Sequence, residues 1–131
     1  MWRRVTAAPV GRLGTVTADG RPHLVPCCFA CDLDRQVVYS AVDGKPKSTR
    51  QLRRLANIRA NPAVALLVDH YAADWAQLWW VRLDGAGRVV DRADEQGRAL
   101  DLLVAKYAQY RREPPAGPFL AVDVARWQTW P

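Results

Sequence analysis

Histidine, cysteine and long apolar runs are scarce in this chain of 131 residues, and each scarcity removes a class of protein. No apolar run approaches the roughly 20 residues that cross a bilayer as a helix, so no membrane span is expected. The opening MWRRVTAAPV is charged but lacks the apolar centre of a secretory leader, and a cytoplasmic protein is expected. The three cysteines, Cys27, Cys28 and Cys31, are odd in number and close together. Cys27 and Cys28 would point to opposite faces of a strand. A zinc site wants about four converging ligands, and no second cluster supplies the rest; no metal is expected, and reduced, buried thiols are. His23 and His70 are the only histidines, and neither stands at a recognisable spacing from a serine or cysteine. The G-x-S-x-G, Walker, G-x-G-x-x-G and H-E-x-x-H patterns are all absent. No pair of carboxylates suggests acid–base work, and no catalytic side chain is assigned. If the protein is an enzyme, its reactive atoms belong to a cofactor.

Acids are also few. Nineteen Lys and Arg face 13 Asp and Glu, for a formal charge of +6. The excess is local: Lys45, Lys47, Arg50, Arg53, Arg54 and Arg59 follow one another with no acid between them. Lys45 and Lys47 lie in a loop that leaves a strand just before a helix start, where free N–H groups and the helix dipole already favour an anion. Gly44 allows close backbone approach and Pro46 stiffens the loop. The competing reading is a solvated helix face. A phosphate site is the stronger one because of its position, not its charge alone. Arg53, Arg54 and Arg59 are expected to face solvent or a partner subunit. Nucleic acid is not expected, since no recognition motif and no second basic stripe accompany the helix.

The chain reads as a single domain over residues 1–131, mainly β with two helices. GRLGTVTADGRPHLVPCCFA gives two strands joined at Asp19-Gly20, a strong hairpin signal. A turn near Asp32–Arg35 leads to a third strand, Gln36 to Val42, completing an antiparallel meander. A helix starts near Ser48, with Gln51 at capping-box spacing, carries Leu52, Leu55 and Ile58 on one face, and stops at Asn61-Pro62. AVALLVDHY is a central fourth strand. LWWVRLDGAGRVVD is a fifth, bent at Gly85–Gly87, with Trp79 and Trp80 on opposite faces. A second helix runs from Asp94 to Tyr110, and FLAVDVARWQTW is the last strand. Six antiparallel strands with two helices suggest a small barrel.

GRLGTVTADGRPHLVPCCFA, VYSAVDGKPK, LRRLANIRANPAVALLVDHY and DWAQLWWVRLDGAGRVV together closely resemble the split β-barrel flavin and deazaflavin oxidoreductases related to pyridoxamine 5′-phosphate oxidase. The nearest resemblance is to the actinobacterial branch regarded as coenzyme F420-dependent. It covers roughly Val10 to Val90 plus the last helix and strand. The resemblance implies an FMN-binding split-barrel fold and a homodimer with two cofactors in grooves between the subunits. It implies that the cofactor's phosphate, and the acidic tail of F420, are held by Lys45 and Lys47 with Ser48, Arg50 and Asn57 nearby. The ring system would lie along Val25, Pro26, Cys27, Ser40 and Val42. The partner chain would close the groove with Trp80, with Leu78 on the same face. The implied activity is hydride transfer between F420 and a small organic acceptor. An FMN-dependent oxidase or reductase on the same fold and a non-catalytic F420-binding protein are the alternatives. Family members commonly begin with a helix; here only nine residues precede Val10, so that helix is expected to be vestigial or missing.

Overall fold

The computed structural model describes residues 2–42 and 49–131; for Trp2 and residues 49–52 it describes the backbone alone. Seven strands form one antiparallel sheet that curls on itself, with more strands than the six expected. The strands are β1 (Gly11–Val16), β2 (Pro22–Cys27), β3 (Ala30–Asp32), β4 (Val37–Ala41), β5 (Ala63–His70), β6 (Trp79–Val89) and β7 (Phe119–Trp130). Helices α1 (Trp2–Ala7), α2 (Thr49–Ala60), α3 (Ala93–Lys106) and α4 (Ala108–Arg112) surround them. A short 3-10 turn, Trp75–Gln77, precedes β6. No helix among the described residues is long and apolar enough to cross a membrane.

The sheet order is β2-β1-β5-β6-β7-β4-β3. The β1–β2 hairpin at Asp19-Gly20 forms as expected, with Gly20 at φ +88. The meander does not: β2 pairs with β1 alone, while β4 lies between β3 and β7. The chain leaves β2 at Cys28 and Phe29 and turns a corner into β3. Phe29 needs no strand partner there. Its N–H donates to the Tyr107 hydroxyl at 3.0 Å, and its carbonyl accepts from Lys106 Nζ at 2.8 Å and from Tyr107 Oη at 3.1 Å. A corner whose backbone groups are satisfied by side chains can end a ladder without an unsatisfied buried amide. The extra strand, β3, is hairpinned to β4 through a turn in which Asp32 accepts from the Arg35 N–H. Gln36 closes that turn at φ +56, a conformation a non-glycine residue adopts at some cost. Its amide oxygen accepts from Trp127 Nε1 at 2.7 Å and holds it there.

The leading helix is short, as the vestigial alternative has it: a six-residue α1 stands ahead of β1, with Val5 fully buried in the core. One further expectation is corrected. The second predicted helix is broken into α3 and α4 at Tyr107, which is extended at φ −111, ψ 119. That break carries the Tyr107 hydroxyl to the Phe29 corner and to the Pro9 carbonyl, 3.0 Å away. The bend in β6 is where the glycines placed it: the ladder with β7 slips between Asp84 and Gly85. A Cβ on Gly85 would stand 2.3 Å from the Asp123 carbonyl oxygen, so only glycine lets β7 pass. Asn61 ends α2, its side chain accepting from the Ala63 N–H at 3.0 Å.

One core fills the barrel, built by Leu13, Phe29, Val38, Leu66, Leu83 and Leu120 among others. A second lies between β4 and α3 and centres on Tyr39, Leu103 and Phe119. At its margin sits a charged network. Arg88 makes two hydrogen bonds to Glu95 at 2.6 and 2.8 Å and two to Asp123 at 2.7 and 3.1 Å. Tyr39 Oη donates to the same Glu95 at 2.8 Å. The Arg88 guanidinium holds Glu95 down at about 2. Burial, reinforced by Glu95, pushes the Tyr39 phenol up to about 12.

Candidate functional site

The curl leaves a cleft of about 320 Å³ where β2 ends, bounded by Val10, Pro26, Cys27, Cys28, Ala41, Arg54 and Tyr110. Each wall has a local cause. Pro26 has no N–H to give to a ladder and sits on edge strand β2, where that is tolerated. Arg54 projects from α2, which packs across β1 and β6. Tyr110 comes from α4 and is there because the chain broke helix at Tyr107.

Electrostatically the cleft is positive. Arg54 is half-buried, and among the described residues it takes part in no ion pair and its buried Nε has no hydrogen-bond partner. Lys106 stands behind the wall, with Nζ 3.7 Å from the Phe29 ring centroid and the three thiols among its neighbours. Burial lowers its ammonium to about 8. Burial also raises the Cys27 thiol, against the opposing pull of Arg54, and raises Cys31 to about 11. Both remain thiols at neutral pH. The Ser40 hydroxyl is buried beside Cys27 and finds no partner of ordinary hydrogen-bond geometry among the described residues. No group of three or more His, Cys, Asp or Glu among those residues is arranged to hold a metal ion.

The expected site residues divide into five groups. Pro26 and Cys27 line the cleft. Ser40, Val42 and Val25 stand behind it: Ser40 and Val42 are buried toward the barrel interior, and Val25 packs on that core. Asn57 is buried on α2 and donates to Thr15 Oγ1 at 3.1 Å, tying the helix to β1. Leu78 and Trp80 lie elsewhere, in an aromatic cleft of about 200 Å³ with Tyr71, Trp79 and Trp130. Trp80 also lines a larger groove of about 490 Å³ on the outer face of β2, β1, β5 and β6, beside Leu24, Leu67 and the Arg12–Asp69 pair. Trp79 packs inward on the core, so the two tryptophans do take opposite faces. Lys45, Lys47 and Ser48 lie outside the described residues, as does the Arg50 side chain.

Of the arginines expected to face solvent or a partner subunit, Arg54 lines the cleft, whereas Arg53 is exposed. Arg50 and Arg54 are four apart and share a helix face, but the spacing does not tell which way that face turns. Cys28 and Tyr110 carried no such signal. Cys28 reaches the cleft because the strand ends there, and Tyr110 because α3 breaks.

Solved structures of this shape exist at low sequence identity. A conserved hypothetical protein from Mycobacterium tuberculosis matches with a TM-score of 0.74 at 17% identity, over 98% of this chain and 80% of that one. An FAD-binding protein from Mesorhizobium loti matches with a TM-score of 0.70 at 22% identity, over 98% and 87%. The heme storage protein HutZ from Vibrio cholerae matches with a TM-score of 0.70 at 15% identity, over 94% and 85%. These likenesses establish the fold. No curated protein matches the chain. The pattern that defines the pyridoxamine 5′-phosphate oxidase family, by contrast, fits residues 3–131. With its curled seven-stranded antiparallel sheet and a cationic cleft at the end of β2, the chain belongs to the pyridoxamine 5′-phosphate oxidase family.

Proposed function

We propose that the protein is a homodimeric oxidoreductase that holds F420 in the Arg54 cleft and passes a hydride between it and a small organic acceptor. The observation that carries this reading is Arg54: a guanidinium in a concave site, with a buried nitrogen that no described residue satisfies. Such a group is costly unless a ligand's anion completes it. In the sequence Arg54 also continues the run of Lys45, Lys47 and Arg50, which suits a cofactor with a trailing row of carboxylates better than a single phosphate. The residues present fit such a group: Pro26 offers a flat wall without a competing N–H, beside the Arg54 guanidinium.

One chain alone supplies about 320 Å³ here, near the low end of the roughly 300–1,000 Å³ typical of small-molecule sites. A tricyclic cofactor needs more wall, and a second chain can provide it. The outer groove favours such pairing. Leu24 is 74% exposed and Tyr71 73% exposed around Trp80, an apolar face of the kind that marks an interface. When bound, reduced F420 supplies the hydride. The chain's part is to orient the ring against Pro26 and Cys27, to anchor the anion at Arg54, and to exclude water through the partner.

A second reading, a non-catalytic F420-binding protein, is favoured by one feature: no described residue lining the cleft is a carboxylate or an imidazole. FMN in place of F420 is the third. Fluorescence titration with F420 and with FMN separates the cofactors, and turnover of an acceptor separates enzyme from carrier. Arg54→Gln should weaken F420 binding at least about tenfold with the fold intact. Unchanged affinity would remove Arg54 and the cleft from the proposal. Light scattering should give a dimer that Leu24→Asp dissociates; a monomer binding cofactor stoichiometrically would refute the shared groove.

A further inference from the structure

A further cleft, of about 330 Å³, lies between α1, the end of β5 and the start of β6, lined by residues that include Arg4, His70, Gln77, Leu78, Trp79 and Pro131. Trp79 organises it. The Arg4 guanidinium sits 5.6 Å from the indole centroid, and the His70 ring stacks on the same indole at 6.4 Å and 22°. A cation held by an aromatic face keeps its N–H donors free for an acceptor. Neither Arg4 nor His70 takes part in an ion pair among the described residues. Nearby acids on the same segment are committed elsewhere: Asp69 pairs with Arg12 at 3.4 Å, and Asp74 accepts from the Ala76 N–H at 3.0 Å. The volume is roughly ten times the ~30 Å³ share of one water, more than a bare oxyanion fills. Leu78 and Trp79 are common to this cleft and to the adjoining aromatic one of Tyr71, Trp80 and Trp130, so an apolar wall runs on from the donors.

We infer that this cleft binds a small carboxylate with an apolar body, its carboxylate between Arg4 and His70 and its body lying past Leu78 toward Trp80 and Trp130. Gln77 is placed to donate a further hydrogen bond. The inference goes beyond the cofactor reading and does not depend on which cofactor, if any, occupies the Arg54 cleft.

The test is isothermal titration of the full chain, without added cofactor, using 3-phenylpropionate, its neutral amide and inorganic phosphate as probes. The expected result is saturable binding of the carboxylate, with the amide and phosphate both weaker. Arg4→Gln should lower the affinity at least about tenfold, and His70→Gln less. Both side chains are exposed, so the variants should fold, which circular dichroism checks. Arg112→Gln, an exposed arginine far along the chain, controls for bulk charge and should change nothing. Absence of saturable binding, equal affinity for acid and amide, or an equal loss in Arg112→Gln would overturn the site. Phosphate binding as tightly as the acid would overturn the apolar body. Loss on Arg54→Gln with none on Arg4→Gln would place the ligand in the other cleft and equally overturn the inference, leaving the cofactor reading standing.

Discussion

Arg88 and Arg54 carry the same guanidinium in opposite circumstances. Arg88 lies between Glu95 and Asp123 and makes four hydrogen bonds to them. Arg54 lines a cleft with a buried Nε that has no described partner. The first has spent its hydrogen bonds on holding β6, β7 and α3 together. The second has them left to give. Charge and burial alone would not separate the two; the difference is whether the sequence also brings carboxylates to the spot.

The largest expected effect comes from breaking the saturated side. Arg88→Met leaves Glu95 buried with Tyr39 as its one remaining hydrogen-bond partner among the described residues and the Arg98 charge nearby. It should cost about 3 kcal/mol, the low end for breaking a buried pair because part of Arg88 stays in water, and lower the melting temperature on the order of 10 °C. Arg54→Met should leave the melting temperature within a few degrees and act on ligand affinity instead. Equal melting shifts in the two variants would dissolve the distinction.

Next in size is the acid limb. Glu95 is held at about 2 in the fold, from an ordinary 4.5, first by Arg88. Its contribution is therefore present in full above pH 4.5 and is lost as pH falls from 4.5 through 2, on the order of 2–3 kcal/mol. Denaturant melts between pH 6 and 2 should show this loss, and Glu95→Gln should flatten it. The effect of Lys106 has the opposite origin. Burial lowers it to about 8 from 10.5, so between those values the unfolded chain binds more protons and stability rises with pH. Lys106→Met should remove that rise; a slope unchanged from the native chain would show that the ammonium is not desolvated at the Phe29 corner. The smallest effect is Tyr107→Phe, about 1 kcal/mol for the hydroxyl's hydrogen bonds to Phe29 and Pro9.

Features encoded locally were legible in the sequence. Asp19-Gly20 specifies its own hairpin, Asn61-Pro62 stops its own helix, and Gly85 marks the slip between β6 and β7. Features set by distant partners were not. The failed meander depends on Phe29 meeting Tyr107, seventy-eight positions away. The helix break at Tyr107 depends on the same contact, and periodicity through Leu100, Leu103 and Val104 gives no warning of it. For the cleft, Pro26 and Cys27 could be read from an unusual strand, but Arg54 required knowing which side of α2 meets β1. The clearest sequence signal of all, Lys45 and Lys47, falls outside the described residues.

The strand order also constrains how the molecule is made. Strand β7, Phe119–Trp130, is the last strand of this sheet to be synthesised, yet it pairs with β4 on one side and β6 on the other. Until it leaves the ribosome, both of those strands present open edges, and the Val37–Ala41 stretch, wholly buried in the finished protein, has one flank uncovered. A nascent chain stalled before residue 119 is thus a template for pairing with its neighbours on a polysome. The closing strand acts as a zip fastener drawn shut only after every other strand of the sheet has been made, and the exposure ends when it docks.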